Sequence, residues 1–154
     1  MVRDAITKPL IAAGGIARGK QMMAAMVLGA DGVQVGSRFA ASEEASAHIN
    51  FKNAIVDAKE GDTELSLKQL TPVRLLKNKF YVDVKEAELK GATKEELTTL
   101  LGKRRSKKGM FEGDLDEGEL EIGQVSGFIN EIKPAKIVLN EIVDEYNLIK
   151  QNLL

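Results

Sequence analysis

The architecture of this chain follows from two segments, Lys8-Pro9-Leu10-Ile11-Ala12-Ala13-Gly14-Gly15 and Asp31-Gly32-Val33-Gln34-Val35-Gly36-Ser37. Residues 9–13 are apolar without alternation, which is typical of a parallel strand covered on both faces. Residues 32–36 predict a second short strand, and the apolar spacing of residues 18–28 predicts a helix between the two. With a further helical turn after Ser37, the order is that of two βα units in a parallel α/β sheet.

Both predicted strands end in small residues, Gly14-Gly15 and Gly36-Ser37. Glycine lets backbone N–H groups approach an anion closely, and a helix that begins at Ser37 aims the positive end of its dipole at the same place. In (β/α)₈ barrels, turns of this kind form a phosphate site. Tight turns of an ordinary α/β sheet would also use such glycines, so the pattern alone leaves both interpretations open.

Residues 14–21 also have the spacing of a P-loop as far as Lys20. A P-loop requires a hydroxyl at the next position to hold Mg²⁺, and this chain has Gln21 there. No acidic residue ends a predicted strand where it would bind the metal. The sequence therefore disfavours a nucleotide triphosphatase.

The composition excludes several classes of site. The chain has 154 residues, no cysteine and a single histidine, His48. Disulfides, thiolate catalysis and cysteine-ligated metals are therefore excluded, and we expect no metal site. The net charge of −1 gives no general attraction to nucleic acid or anionic lipid. No apolar run reaches the ~18–20 residues that span a bilayer, so we expect a cytoplasmic protein without nucleic-acid or membrane partners.

The rest of the chain predicts a mostly helical region. Helices are predicted over residues 47–59, 82–90 and 94–101, and Thr93 with Glu96 has the pattern of a capping box. Residues 118–132 also have apolar side chains at helical spacing. Residues 103–113, which begin with the basic run 103–108 and have acidic neighbours, predict a solvated loop. A last helix is predicted from Pro134, with these residues inward: Ile137, Val138, Ile142, Val143, Tyr146 and Ile149.

Two parallel strands bury too little apolar surface to be stable alone. We therefore expect this chain to be the carboxyl-terminal part of a longer parent. An open strand edge also predicts self-association, or pairing with an upstream barrel fragment encoded elsewhere.

Two segments, Leu10–Ala17 and Leu28–Phe39, match a known family, and the match continues in the same order through residues 42–44, 47–52, 73–78 and 118–127. By these segments the chain resembles the nitronate monooxygenase family, formerly called 2-nitropropane dioxygenase, which includes the flavin-type enoyl-ACP reductases.

The resemblance implies an α/β fold, namely the carboxyl-terminal part of an FMN-binding (β/α)₈ TIM barrel with a mostly helical subdomain. Residues 1–46 would be the last two βα units with the phosphate-binding turns. Residues 47–133 would be the helical subdomain and loops, and residues 134–154 the carboxyl-terminal helix that docks on the barrel.

The resemblance also implies the cofactor, FMN, and the residues that bind it. The turns would hold the FMN phosphate and ribityl chain, and Gln124 would lie near the flavin edge, with a solvent-facing amide as its alternative. The cofactor-binding residues are then Gly14, Gly15, Gln34, Val35, Gly36, Ser37 and Gln124.

The implied activity is an oxidoreductase that oxidises alkyl nitronates or nitroalkanes with O₂. The alternative within the family is a flavin-dependent enoyl-ACP reductase. The family's catalytic histidine lies in an Ala-Gly-Gly-His motif, which this chain lacks. His48 follows the last predicted barrel strand, and we expect it to be structural. A third hypothesis is therefore a catalytically inert fragment or a split-gene subunit.

Overall fold

In the computed structural model, which describes residues 2–153, a small parallel sheet and an antiparallel hairpin are surrounded by helices. The strands are β1 (Ile11–Ala13), β2 (Gly32–Gln34), β3 (Thr63–Ser66) and β4 (Val73–Leu76). The α-helices are α1 (Val2–Ala5), α2 (Gly19–Val27), α3 (Ser37–Ala40), α4 (Ile49–Asp57), α5 (Lys79–Leu89), α6 (Lys94–Leu101) and α7 (Ala135–Leu153). Lys107–Phe111 forms a π-helix and Gln124–Phe128 a 3₁₀-helix.

Strands β1 and β2 are parallel and are joined through α2, as the βα pattern predicts. Ile11 pairs with Gly32, and Ala13 pairs with Gln34. The expectation that β1 is covered on both faces is wrong for this chain, because Ile11 is 53% exposed. Within residues 2–153, β1 and β2 pair only with each other, so no third strand extends this parallel sheet.

Helix α7 packs against α2, and a glycine brings the two helices close together. A Cβ atom on Gly19 would lie 2.6 Å from the carbonyl oxygen of Ile142, so only glycine fits at this crossing. Val138 and Ile142 are buried as predicted. Ile137 and Val143 are not inward, because they are 43% and 37% exposed.

The remainder of the chain contains two apolar clusters. Phe51 and Ile55 of α4 pack with Leu120, Ile122 and Ile129 in the first. The second is formed by residues of the β3–β4 hairpin and helices α5 and α6, namely Leu67, Leu75, Phe80, Tyr81, Val84 and Leu97.

The capping box at the start of α6 is confirmed by two hydrogen bonds. The Thr93 N–H donates to the Glu96 carboxylate (2.8 Å), and the Glu96 N–H donates to the Thr93 hydroxyl (3.2 Å). Two other predictions are wrong. Residues 118–132 contain only the short 3₁₀-helix, because residues 120–122 are extended and hydrogen-bond to β4. Residues 107–111 are helical rather than a loop.

Within the part of the chain that the structure describes, no helix is both long and apolar enough to cross a membrane.

Candidate functional site

The predicted turns leave the parallel sheet at one edge. Because Ala13 pairs with Gln34, Gly14-Gly15 and the segment 35–37 emerge from the same ends of adjacent strands. We call Gly14, Gly15, Val35, Gly36 and Ser37 the glycine edge. Gln34 is the last residue of β2 and is exposed. The carboxyl ends of parallel strands are where α/β folds place ligands.

The backbone of the glycine edge faces open space. Gly14 and Gly15 have φ values of +90° and +72°, a conformation that favours glycine. A Cβ atom built on Gly14, Gly15 or Gly36 would have no neighbour within 4 Å. Gly36 has an ordinary φ of −104°, so at this position the structure itself does not require glycine. A ligand that approaches the backbone closely at this position would require glycine, because a Cβ atom would occupy the space of the ligand.

Ser37 connects the glycine edge to a distant part of the chain. Its hydroxyl oxygen accepts a 3.1 Å hydrogen bond from the N–H of Gly123. Gly123 is followed by Gln124, which begins the 3₁₀-helix and is exposed. The fold therefore brings together Ser37 and Gln124, which are far apart in sequence and which the family resemblance assigns to one site.

The start of α2, by contrast, is occupied by protein groups. A Glu145 carboxylate oxygen accepts from the N–H of Gly19 (2.6 Å). The Gln21 side-chain oxygen accepts from the N–H groups of Ala17 (2.7 Å) and Arg18 (3.0 Å). A carboxylate at this helix start would repel a phosphate. This geometry argues further against a P-loop and leaves the glycine edge as the candidate phosphate site.

Beside Gln124 lies a cavity of about 520 Å³. Arg74 of β4, Glu60 and Phe128 also line it. The Nη1 atom of Arg74 donates to the carbonyl and hydroxyl oxygens of Thr63, at 3.1 and 3.3 Å. Sequence reasoning missed Arg74. The available signal was a single cation in the apolar strand segment Val73-Arg74-Leu75-Leu76.

His48 lies at the N-cap of α4, as part of the helix structure. Its Nδ1 atom accepts a 3.1 Å hydrogen bond from the N–H of Asn50. Its ring packs against Gly113, where a Cβ atom would lie 2.6 Å from the His48 Cε1 atom. Within residues 2–153, no three His, Asp or Glu side chains are grouped so as to hold a metal ion.

Glu64 links the β3–β4 hairpin to α5 through two side-chain hydrogen bonds. The Lys85 ammonium and the Tyr81 hydroxyl both donate to Glu64, and these bonds lower the pKa of Glu64 to about 2. Partial burial, together with the hydrogen bond to Glu64, raises the pKa of Tyr81 to about 12. Because this cluster joins two secondary-structure elements, we interpret it as structural.

The basic run is largely paired within its own neighbourhood. Lys107 contacts Glu112 at 2.8 Å, and Lys108 contacts Asp114 at 3.0 Å. Arg105 contacts Glu117 and places its guanidinium 4.4 Å from the centre of the Phe80 ring. The expected local pairing of these charges is confirmed, although the backbone is helical.

Solved structures of similar fold support one family. FabK from Thermotoga maritima is 37% identical with a TM-score of 0.91, over 99% of this chain and 48% of that one. Nitroalkane oxidase from Streptomyces ansochromogenes is 28% identical with a TM-score of 0.79, over 99% of this chain and 43% of that one. The chain therefore has an α/β fold similar to both.

The sequence comparisons agree with the structural ones. A probable nitronate monooxygenase from Bacillus subtilis (strain 168) is 33% identical over 143 residues, which are 92% of this chain and 41% of that protein. The chain thus spans less than half the length of these relatives. The family model for nitronate monooxygenase matches residues 1–145. The chain belongs to the nitronate monooxygenase family.

Proposed function

We propose that the glycine edge binds the phosphate and ribityl chain of FMN, as part of a flavin-dependent oxidoreductase that oxidises alkyl nitronates or nitroalkanes with O₂. The observation that carries the proposal is the convergence of two glycine turns with Ser37 at one end of the parallel strands. Members of the family to which this chain belongs are flavoproteins, and the residues of the glycine edge fit the phosphate of FMN. Bound FMN would supply the redox chemistry.

The fit rests on backbone donors and one hydroxyl. Among the described residues, the N–H groups of Ser37 and Arg38 donate to no protein acceptor and are available to phosphate oxygens, whereas those of Phe39 and Ala40 donate to the Gly36 carbonyl oxygen. Ser37 accepts from Gly123, which leaves its own O–H free to donate to a phosphate oxygen. Gly14, Gly15 and Gly36 leave room for the ligand, because a Cβ atom there would fill open space. Gln34, Val35 and Gln124 would contact the ribityl chain and the flavin edge.

One observation favours a second activity, that of a flavin-dependent enoyl-ACP reductase. The TM-score of 0.91 to FabK exceeds that of 0.79 to nitroalkane oxidase, and so does the sequence identity. This favours a flavin-dependent enoyl-ACP reductase as the alternative. The third hypothesis, an inert fragment or a split-gene subunit, draws support from the lack of the family's Ala-Gly-Gly-His motif in this chain.

Comparing FMN with riboflavin in titrations of the chain tests the phosphate site. The two ligands share the ring and ribityl chain, so a difference in Kd reports the phosphate. We expect FMN to bind at least about tenfold more tightly, in keeping with charge-assisted hydrogen bonds to several N–H groups. Fluorescence quenching of the flavin measures both constants. Equal Kd values, or binding of neither ligand, would contradict the proposal.

Gly36→Ala separates ligand binding from folding. The Cβ atom meets open space and φ is ordinary, so we expect the thermal unfolding midpoint of the variant to match that of the wild type. If phosphate lies against this backbone, the preference for FMN over riboflavin is lost. Lys150→Ala, on an exposed turn of α7, is the control and keeps the preference.

Activity assays on the FMN-loaded chain separate the three hypotheses. O₂ consumption with propyl-2-nitronate supports the monooxygenase. Oxidation of a reduced nicotinamide by an enoyl thioester supports the reductase. Absence of both, with FMN bound, supports the inert or split-gene hypothesis. In that case we propose that the open edge of β1 pairs with strands of a second copy or of an upstream barrel fragment, in the cytoplasm.

A further inference from the structure

Arg74 points into the cavity beside Gln124 with an orientation that the hairpin fixes. Both hydrogen bonds to Thr63 come from one nitrogen, Nη1. Within residues 2–153, the Nη2 and Nε atoms of Arg74 donate to no protein acceptor. A guanidinium carries five N–H donors in a planar fork, so three of them remain for a ligand.

The charge of Arg74 is also uncompensated. Among the described residues, no carboxylate lies within ion-pair distance of its guanidinium, although the side chain is partly buried. A partly buried cation without a counter-ion is unfavourable unless a ligand supplies one. The Arg74 backbone is fixed by the pairing of β4 with residues 120–122, and its guanidinium is held by the two hydrogen bonds to Thr63.

The cavity is joined to the glycine edge by three consecutive residues. The N–H of Ile122 donates to the carbonyl oxygen of Arg74 (3.1 Å), and the N–H of Gly123 donates to Ser37 (3.1 Å). Gln124 then lines the cavity itself. A molecule in this cavity would therefore lie next to a cofactor held at the glycine edge.

The other walls of the cavity restrict the class of ligand. Phe128 is 49% exposed and lines the cavity. The Arg18 guanidinium lies 5.0 Å from the centre of its ring, and the remaining ring surface is an apolar contact for an alkyl group. Glu60 also lines the cavity, and its negative charge in this neighbourhood disfavours a doubly charged anion such as phosphate. The remaining choice is a small monoanion with an alkyl substituent.

We propose that Arg74, assisted by the Gln124 amide, binds a planar anion with two equivalent oxygen atoms, namely a carboxylate or a nitronate. Both groups match the guanidinium fork in bidentate geometry. That this anion site is a substrate site rests on the proposed function. Binding of the anion itself is testable without FMN. Arg74 then determines specificity for the anionic form of the substrate and holds it in place.

Three isosteric ligands test the proposal on the chain without FMN. They are isobutyrate, propyl-2-nitronate and the neutral isobutyramide. Ligand-observed NMR titrations give the Kd for each. We expect the two anions to bind, and isobutyramide to bind at least about tenfold more weakly, since a charged hydrogen-bonded pair is lost. Binding of isobutyrate alone identifies a carboxylate ligand, and binding of propyl-2-nitronate alone identifies a nitronate. Either result supports the anion site.

Two variants assign the binding to Arg74. We expect Arg74→Ala to weaken binding of the anions at least about tenfold, and Arg74→Lys, which keeps the charge but loses the fork, at least about fivefold. Arg104→Ala, an exposed cation outside the cavity, is the control and leaves Kd unchanged. Thermal unfolding verifies that each variant is folded. If Arg74→Ala does not fold, the Kd values of Arg74→Lys decide whether Arg74 binds the anion.

Two results would overturn the inference: no binding of either anion to the wild type, or binding that Arg74→Lys and Arg74→Ala leave unchanged. Anion binding through Arg74 without any preference for FMN over riboflavin would support the anion site and contradict the proposed function. The experiments therefore distinguish a failure of the anion site at Arg74 from a failure of the FMN site at the glycine edge.

Discussion

The hydroxyl of Ser37 accepts a hydrogen bond from the backbone N–H of Gly123, 86 residues further along the chain. Because this bond joins the end of the second βα unit to the segment that leads into Gln124, it sets where the cavity lies relative to the glycine edge. The turn at Ser37 is thereby linked to Gln124, the residue of the candidate site that is farthest from it in sequence.

Ser37→Ala should lower the free energy of unfolding by about 1 kcal/mol, the typical contribution of one hydrogen bond. The Gly123 N–H loses its acceptor in this variant. Ser126→Ala is the matched control, because the buried Ser126 hydroxyl has no hydrogen-bond partner among the described residues. We expect it to be neutral or slightly stabilising. Urea unfolding of both variants measures the difference, and equal effects would argue against the Ser37–Gly123 bond.

Gly19→Ala should destabilise the protein by about 3 kcal/mol, at the upper end of overpacking effects. The added Cβ atom would approach the backbone of α7, which cannot move without separating the two helices. Lys20→Ala, the next and exposed residue of α2, is the control and is expected within about 0.5 kcal/mol of the wild type. Thermal and urea unfolding would show whether α2 and α7 are in contact.

Glu64→Gln should reduce the loss of stability in acid. The pKa of Glu64 is lowered to about 2 in the folded protein, chiefly by the hydrogen bond from Lys85. Its contribution to stability is therefore present above pH 4.5 and is lost as the pH falls from about 4.5 toward 2. Free energies of unfolding measured at pH 7, 4 and 3 should fall less steeply in the variant than in the wild type. An unchanged slope would contradict the pairing.

Glu119→Gln should change the pH dependence in the opposite direction. Burial raises the pKa of Glu119, although the Ser106 hydroxyl donates to it at 2.8 Å. The folded state then binds this proton more tightly than the unfolded state, so the wild type loses stability as the pH rises above 4.5. The variant lacks this component. Urea unfolding between pH 4.5 and 7 measures both slopes, and identical slopes would count against a buried carboxyl at this position.

Arg105→Ala should destabilise the protein by about 2 kcal/mol. The Nε and Nη2 atoms of Arg105 donate to the last carbonyl groups of α6, Leu101 (2.9 Å) and Leu100 (3.1 Å), and its guanidinium lies over Phe80. The variant loses these hydrogen bonds and the cation–π contact. Its neighbour Arg104 is exposed, so Arg104→Ala should change stability by no more than about 0.5 kcal/mol. Similar effects of the two variants on urea unfolding would disprove this role.

Local patterns predicted much of the fold because short-range interactions determine those elements. Helix α2, the parallel order of β1 and β2, and the Thr93–Glu96 capping box all depend on residues close in sequence. The segment 118–132 did not follow its helical spacing, because hydrogen bonds to β4 hold residues 120–122 extended. The local preference of a segment for helix or strand is small compared with the effect of such long-range strand pairing.

The candidate site was only partly predictable for the same reason. The glycine edge is visible in sequence, because strand ends and glycines are local features. Arg74 and Gln124 meet at one cavity only through the pairing of β4 with residues 120–122. A single sequence does not encode that pairing in any periodicity.

The imidazole of His48, wedged against Gly113, gives the protein an intrinsic spectroscopic reporter. Since the chain contains one histidine, its proton NMR spectrum has a single set of imidazole signals. The ring lies between the start of α4 and the turn after the π-helix, so its chemical shift responds to the packing of those two elements. A change in the position of this one resonance therefore shows, in an unlabelled sample, whether a variant has disturbed the packing of α4 against that turn.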